Sequence, residues 1–118
     1  MLPTTDQAME TTVATPLSEA VLLILVSLAQ RPRHGYAIMT DVENLSEGRV
    51  QLSTGTLYGA LQRLLHDRWI ERFAEAEAPR GRQAYRLTVA GRKMLQAEIA
   101  RMKQLTRLAN LRLSKDEV

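Results

Sequence analysis

The segment from Val89 to Leu113 constrains the fold most. Leu95, Ile99, Met102, Leu105, Leu108, Ala109 and Leu113 recur there at helical spacing and make one apolar stripe. A helix of that length spans nearly 40 Å at about 1.5 Å per residue. It overshoots any core built from short elements. Its far half would leave Leu105, Leu108 and Leu113 in water unless a second helix covers them. The stripe therefore predicts dimerisation through this helix, a homodimer; the plainer reading is an intramolecular core.

Shorter elements precede it. Residues 1–15 are Thr-rich without an apolar period and read as a flexible tail. A first helix is expected from Thr15-Pro16 to Ala29, with Thr15 as N-cap and Pro16 in the first turn. It is apolar on nearly every side and should be the central buried helix. The segment Gln30–Arg33 ends it, because Pro32 cannot continue the ladder. A second helix follows His34-Gly35, with Ile38, Val42 and Leu45 inward, and Ser46–Gly48 closes it. Arg49–Leu52 reads as extended. A third helix starts at Ser53 or Thr54, with Leu57, Leu61, Leu64 and Leu65 behind and Thr56, Gly59, Gln62, Arg63 and His66 in front.

A hairpin comes next, from strands Trp69–Glu75 and Gln83–Leu87 around a turn at Pro79 and Gly81. Thr88 then caps the long helix. The order is helix, helix, helix, hairpin, long helix. The predicted fold class is mostly α with a small β-hairpin: a winged helix-turn-helix over 16–88, a C-terminal dimerisation helix over 89–113 and a tail over 114–118.

Composition removes most other chemistries. The chain of 118 residues has no cysteine, so disulfides, thiolate nucleophiles and Cys-ligated zinc are absent together. His34 and His66 are isolated in sequence and carry no ligand spacing; His34 reads as a capping residue and His66 as a surface one. There is no nucleophile elbow, phosphate loop or metal cluster, so neither an enzyme nor a cofactor is expected. The longest apolar run, Ala20–Val26, is too short for a membrane span, and no secretory signal is evident. A cytoplasmic protein is expected.

Charge is distributed unevenly. Residues 1–16 and 17–47 each sum to −2, whereas 48–92 hold eight arginines against four acids, +4, and 93–118 add +3. Arginine forks suit phosphates and base edges. The front of the third helix is small and polar enough to enter a major groove about 12 Å wide. Ser53, Thr54 and Thr56 at its start, then Gln62 and Arg63, are the candidate DNA contacts there. Arg80 and Arg82 at the wing tip are candidates for a phosphate or the minor groove. Tyr36 and Tyr58 either reach phosphates through their hydroxyls or pack between helices, and Tyr85 reads as strand core. Trp69 either covers the core beside the wing or stacks on a small aromatic effector at the dimer interface.

Three segments also resemble a known family. The run Leu28–Ile38, with His34-Gly35-Tyr36, is similar to the HGY segment of PadR-type transcriptional regulators. Thr54–Leu64 resembles their recognition helix, GTLYPALxRL. Arg80-Gly81-Arg82 and Tyr85–Arg92 resemble their wing and its YxLTxxGR exit. The resemblance covers Leu17 to about Leu113 and matches a short form with one C-terminal helix. Gly59 stands where proline is common in the family, and Arg68-Trp69 where Gly-Leu is common. The resemblance implies a repressor that binds double-stranded DNA as a homodimer on an inverted repeat, with relatives that respond to phenolic acids, antibiotics or other planar aromatic compounds. A winged helix used only for protein–protein contact is the alternative.

Overall fold

Ser18 starts the first helix: its hydroxyl accepts a hydrogen bond from the Val21 amide at 3.2 Å. In this computed structural model, which describes residues 17–74 and 83–116, α1 runs Glu19–Gln30. The expected start at Thr15-Pro16 is thus too early, and those two residues lie outside the described ones. Ser18 satisfies an orphan amide, and Glu19 in the first turn complements the helix dipole. Ile24, Leu25 and Leu28 are buried, as a central helix requires, but Val26 is exposed.

Pro32 does end α1, and Arg33 then does two things the sequence did not signal. Its backbone begins β1 (Arg33–His34), which pairs antiparallel with Tyr85 and Ala84. Its side chain is almost wholly buried. Nε donates to the Ser27 carbonyl at 3.1 Å, and the guanidinium pairs with Asp41 at 3.5 Å and contacts the Gln30 amide oxygen. A buried cation needs such partners. Together they tie the end of α1 to α2 (Gly35–Leu45).

In α2, Ile38 and Val42 are buried, whereas Leu45, expected inward, is 47% exposed. The helix ends with Glu47 and Gly48 both at positive φ and the Gly48 amide donating to the Glu43 carbonyl at 2.8 Å. The expected extended stretch Arg49–Leu52 forms no strand. The Ser46 hydroxyl instead holds the Val50 amide at 2.9 Å.

Ser53 caps α3 (Thr54–His66), accepting from the Thr56 amide at 3.1 Å. Leu57, Leu61 and Leu64 are buried. The hairpin strands are shorter than expected, β2 at Ile70–Phe73 and β3 at Ala84–Leu87. The strand order is β1-β3-β2. Glu71 faces Arg86 across the pair, joined at 2.8 Å, and the Arg86 guanidinium lies 4.7 Å from the Phe73 ring centre.

Thr88 caps α4 (Val89–Asp116), accepting from the Gly91 amide at 2.9 Å. The helix therefore continues past the expected end at Leu113. Only its first part touches the body. Leu95, assigned to the dimer stripe, belongs to the subunit's own core, which it shares with Ile24, Leu25, Leu57, Ile70 and Tyr85. Beyond it the helix runs outward with Leu105, Leu108 and Leu113 exposed. The whole is a mostly helical winged helix-turn-helix with a three-stranded sheet and a long C-terminal helix.

Candidate nucleic-acid interface

The helix α3 divides into four faces at about 100° per residue. Leu57, Leu61 and Leu64 anchor it to the core. Gly55, Gly59, Gln62 and His66 fall on the opposite side, all exposed. Tyr58 lies on the flank toward α2. Thr56, Ala60 and Arg63 lie on the other flank, toward α1 and Trp69.

The outward stripe is low. Nothing stands within 4 Å of where a Cβ would sit on Gly55 or Gly59. A backbone could therefore approach another molecule closely there. Ser53 and Thr54 open the helix, and the Ser53 hydroxyl also donates to Thr56 Oγ1 at 2.9 Å. Gln62 and Arg63 are exposed near the helix's C-terminal end, and no described carboxylate pairs with Arg63.

Tyr36 is 78% exposed, which overturns packing between helices as its role. It stands in the first turn of α2 and is free to reach a partner. Tyr58 shares both characters. It is 42% exposed, yet its hydroxyl lies so near Gly35 that a Cβ there would be 2.3 Å away. Gly35 is therefore glycine because Tyr58 covers it. Tyr85 is core, as expected. Burial pushes its phenol above the ordinary value; the Tyr58 phenol adds to this and Arg72 opposes it. His34 occupies the N-cap of α2 but its side chain makes no cap hydrogen bond, contrary to its expected role. His66 is exposed, 3.6 Å from Asp67.

The arginines of the middle segment separate into classes. Arg49 is held by Glu19 at 2.7 Å, Arg86 by Glu71, and Arg92 donates to the Ala29 carbonyl at 3.3 Å. Arg63, Arg68 and Arg72 are exposed without a described carboxylate partner. Sequence reasoning passed over Arg68 and Arg72; their number within the basic segment was the only signal. Arg80 and Arg82 lie outside the described residues.

Trp69 is half-buried against the core. It lines a cavity of about 510 Å³ with Leu17 and Val21 on one side and Gly55, Thr56, Gly59, Ala60 and Arg63 of α3 on the other. It thus faces α3 rather than the exposed stripe of α4. On that stripe Ile99, Leu105, Leu108, Ala109 and Leu113 are exposed, Met102 is half-buried, and Leu111 is exposed as well. Among the described residues no three His, Asp or Glu side chains gather as a metal site, and no helix is long and apolar enough to cross a membrane.

Comparison with known proteins agrees with this architecture. The profile described as "Transcriptional regulator PadR-like family" matches residues 24–97. A PadR family transcription regulator from Clostridium difficile superposes with a TM-score of 0.68 at 24% identity, covering 81% of this chain and 99% of that one. A PadR-like transcriptional regulator from Bacillus cereus gives a TM-score of 0.65 at 23% identity, covering 90% and 96%. At these identities the likeness establishes the fold. A curated relative, an "uncharacterized 37.1 kDa protein" of transposon TN4556 from Streptomyces fradiae, is 40% identical over 90 residues. That match takes in 75% of this chain but only 24% of the relative.

Proposed function

Because the chain belongs to the PadR-like family of transcriptional regulators, we propose that it is a cytoplasmic homodimeric repressor that reads an inverted-repeat operator and occludes a promoter. One observation carries the reading: α3 buries three leucines and turns outward a low stripe of Gly55, Gly59 and Gln62, with Arg63, which has no carboxylate partner among the described residues, on its flank. Such a face enters the major groove without steric hindrance, and Arg63 reads a guanine edge or a phosphate. Tyr36 and Tyr58 at the mouth of α2, with Ser53, Thr54 and Thr56, hold the DNA backbone. Arg80 and Arg82 extend that contact from the wing.

Residues 16–88 are the reading domain and 89–113 the dimerisation helix. The exposed leucines of α4 pair with those of a second copy, so two α3 helices occupy successive major grooves with half-sites about 10 bp apart. The cavity beside Trp69 supports release by a small planar aromatic effector, since a molecule there touches α3 directly.

A gel-shift titration on the upstream region of the protein's own gene tests the reading. Arg63→Ala should weaken specific binding by about 1–3 kcal/mol and relax base preference at one position. Arg80→Ala should weaken all DNA alike and flatten the salt dependence. Wild-type binding no tighter than to random DNA would overturn it. Absence of any salt-dependent DNA affinity would favour a protein–protein module instead.

A further inference from the structure

We propose that Thr88 is a positioning residue: it fixes the angle between α3 and α4, and so sets the half-site spacing the dimer accepts. The inference rests on the dimeric DNA-binding reading above.

Four hydrogen bonds converge on Thr88. Its hydroxyl donates to the Arg68 carbonyl at 2.7 Å and accepts from the Gly91 amide at 2.9 Å. Its own amide donates to the Trp69 carbonyl at 3.1 Å, and its carbonyl accepts from the Arg92 amide at 2.9 Å. The residues it grips are themselves bonded to α3. The Asp67, Arg68 and Trp69 amides donate to the Arg63, Leu65 and Leu64 carbonyls at 2.9, 3.1 and 3.0 Å. The exit of α3 is thus held at its amides by α3 and at its carbonyls by the start of α4.

Little slack remains in this joint. A Cβ on Gly91 would stand 1.9 Å from the Trp69 carbonyl oxygen, so the α4 backbone rests directly on that carbonyl with no side chain between. Arg68 holds φ at +65°, a conformation that ordinary side chains adopt only when the surroundings enforce it.

The lever is α3 itself. From Arg68 at the joint back to Gly59 on the outward face is about 14 Å along the helix. With α4 held by the partner helix, a rotation of about 7° at the joint moves the outward face of each α3 by about 1.7 Å, and both subunits together by about 3.5 Å, the rise of one base pair. A joint stiff to a few degrees therefore rejects operators whose half-sites are one base pair too near or too far. Thr88 acts through α3 and touches no DNA.

The test uses the full chain as wild type, Thr88→Val and Thr88→Ser. Duplexes carry two inverted copies of the selected half-site at centre spacings from about 9 to 12 bp, plus a single half-site. Affinities come from fluorescence anisotropy, with dimer mass checked by sedimentation. Wild type should lose about tenfold or more one base pair from its best spacing, and Thr88→Val should flatten that to within about threefold. Half-site affinity should change by less than about twofold, and Thr88→Ser, which keeps the hydroxyl, should restore the profile. Thr88→Ala serves if Thr88→Val does not fold. An unchanged spacing profile in Thr88→Val, or an equal loss on every duplex including the half-site, overturns the inference. A wild type without spacing preference overturns the inverted-repeat reading itself, and this inference with it.

Discussion

Replacing Gly35 by alanine tests the joint between the two helices of the helix-turn-helix. The new Cβ would stand 2.3 Å from the Tyr58 hydroxyl, 2.9 Å from Cζ and 3.4 Å from Cε1. Relaxed contacts lie at about 3.5 Å, so the phenol or the helix must move by about 1 Å. Overpacking of that kind costs about 1–3 kcal/mol. Alanine offsets part of it, because glycine in a helix is worse by up to about 1 kcal/mol. The net expectation is a loss of about 1–2 kcal/mol, or roughly 4–8 °C in Tm. A double-mutant cycle isolates the cause. With Tyr58→Ala the obstacle is gone, and Gly35→Ala should become neutral or stabilising. With Tyr58→Phe only the closest atom is removed and the cost should be intermediate. Urea unfolding followed by circular dichroism, at one fixed protein concentration, measures all four corners. A coupling below about 0.5 kcal/mol would refute the contact as the reason for Gly35.

The other helical glycines should behave differently. Gly91→Ala meets the backbone carbonyl of Trp69, which cannot swing aside, and should cost about 3 kcal/mol or more in the same unfolding assay. Gly59→Ala enters open space and should stabilise by up to about 1 kcal/mol. Arg68→Gly relieves a positive φ and should raise stability by about 0.5–1 kcal/mol after the entropy of glycine is counted. Leu105→Lys with Leu108→Lys alters only exposed positions, so urea unfolding should show the folded subunit retained while sedimentation shows monomers. The Glu98 carboxyl is held below its ordinary range, chiefly by the Arg101 guanidinium at 2.8 Å, while burial opposes this. A lowered folded-state value means stability that is complete above the ordinary carboxylate range and lost as pH falls through the lowered value. The advantage of wild type over Glu98→Gln, about 0.2–1 kcal/mol for such a pair, should therefore fade in unfolding curves taken below about pH 4.

Much of this molecule is written in local pattern. The leucine spacing of α3, the caps Ser53 and Thr88, the Gly48 stop and the long stripe of α4 were all legible, because each depends on residues within a few positions of one another. The exposed front of α3 follows from the same period, since burying Leu57, Leu61 and Leu64 turns Gly55, Gly59 and Gln62 outward and leaves Arg63 on the flank. The family segments point the same way. Periodicity says which face of an element is buried but not against what, and it is silent for very short elements. Hence β1, only two residues long, was missed, and Leu95 was assigned to a second copy although its own core takes it. Arg33 with Asp41, Tyr58 over Gly35, and Trp69 turned toward α3 are meetings of residues distant in sequence. The sequence determined the helices, the caps Ser53 and Thr88 and the α3 side that faces outward. The tertiary structure decided which long-range partners hold that side in place, because those contacts exist only once the chain has closed on itself.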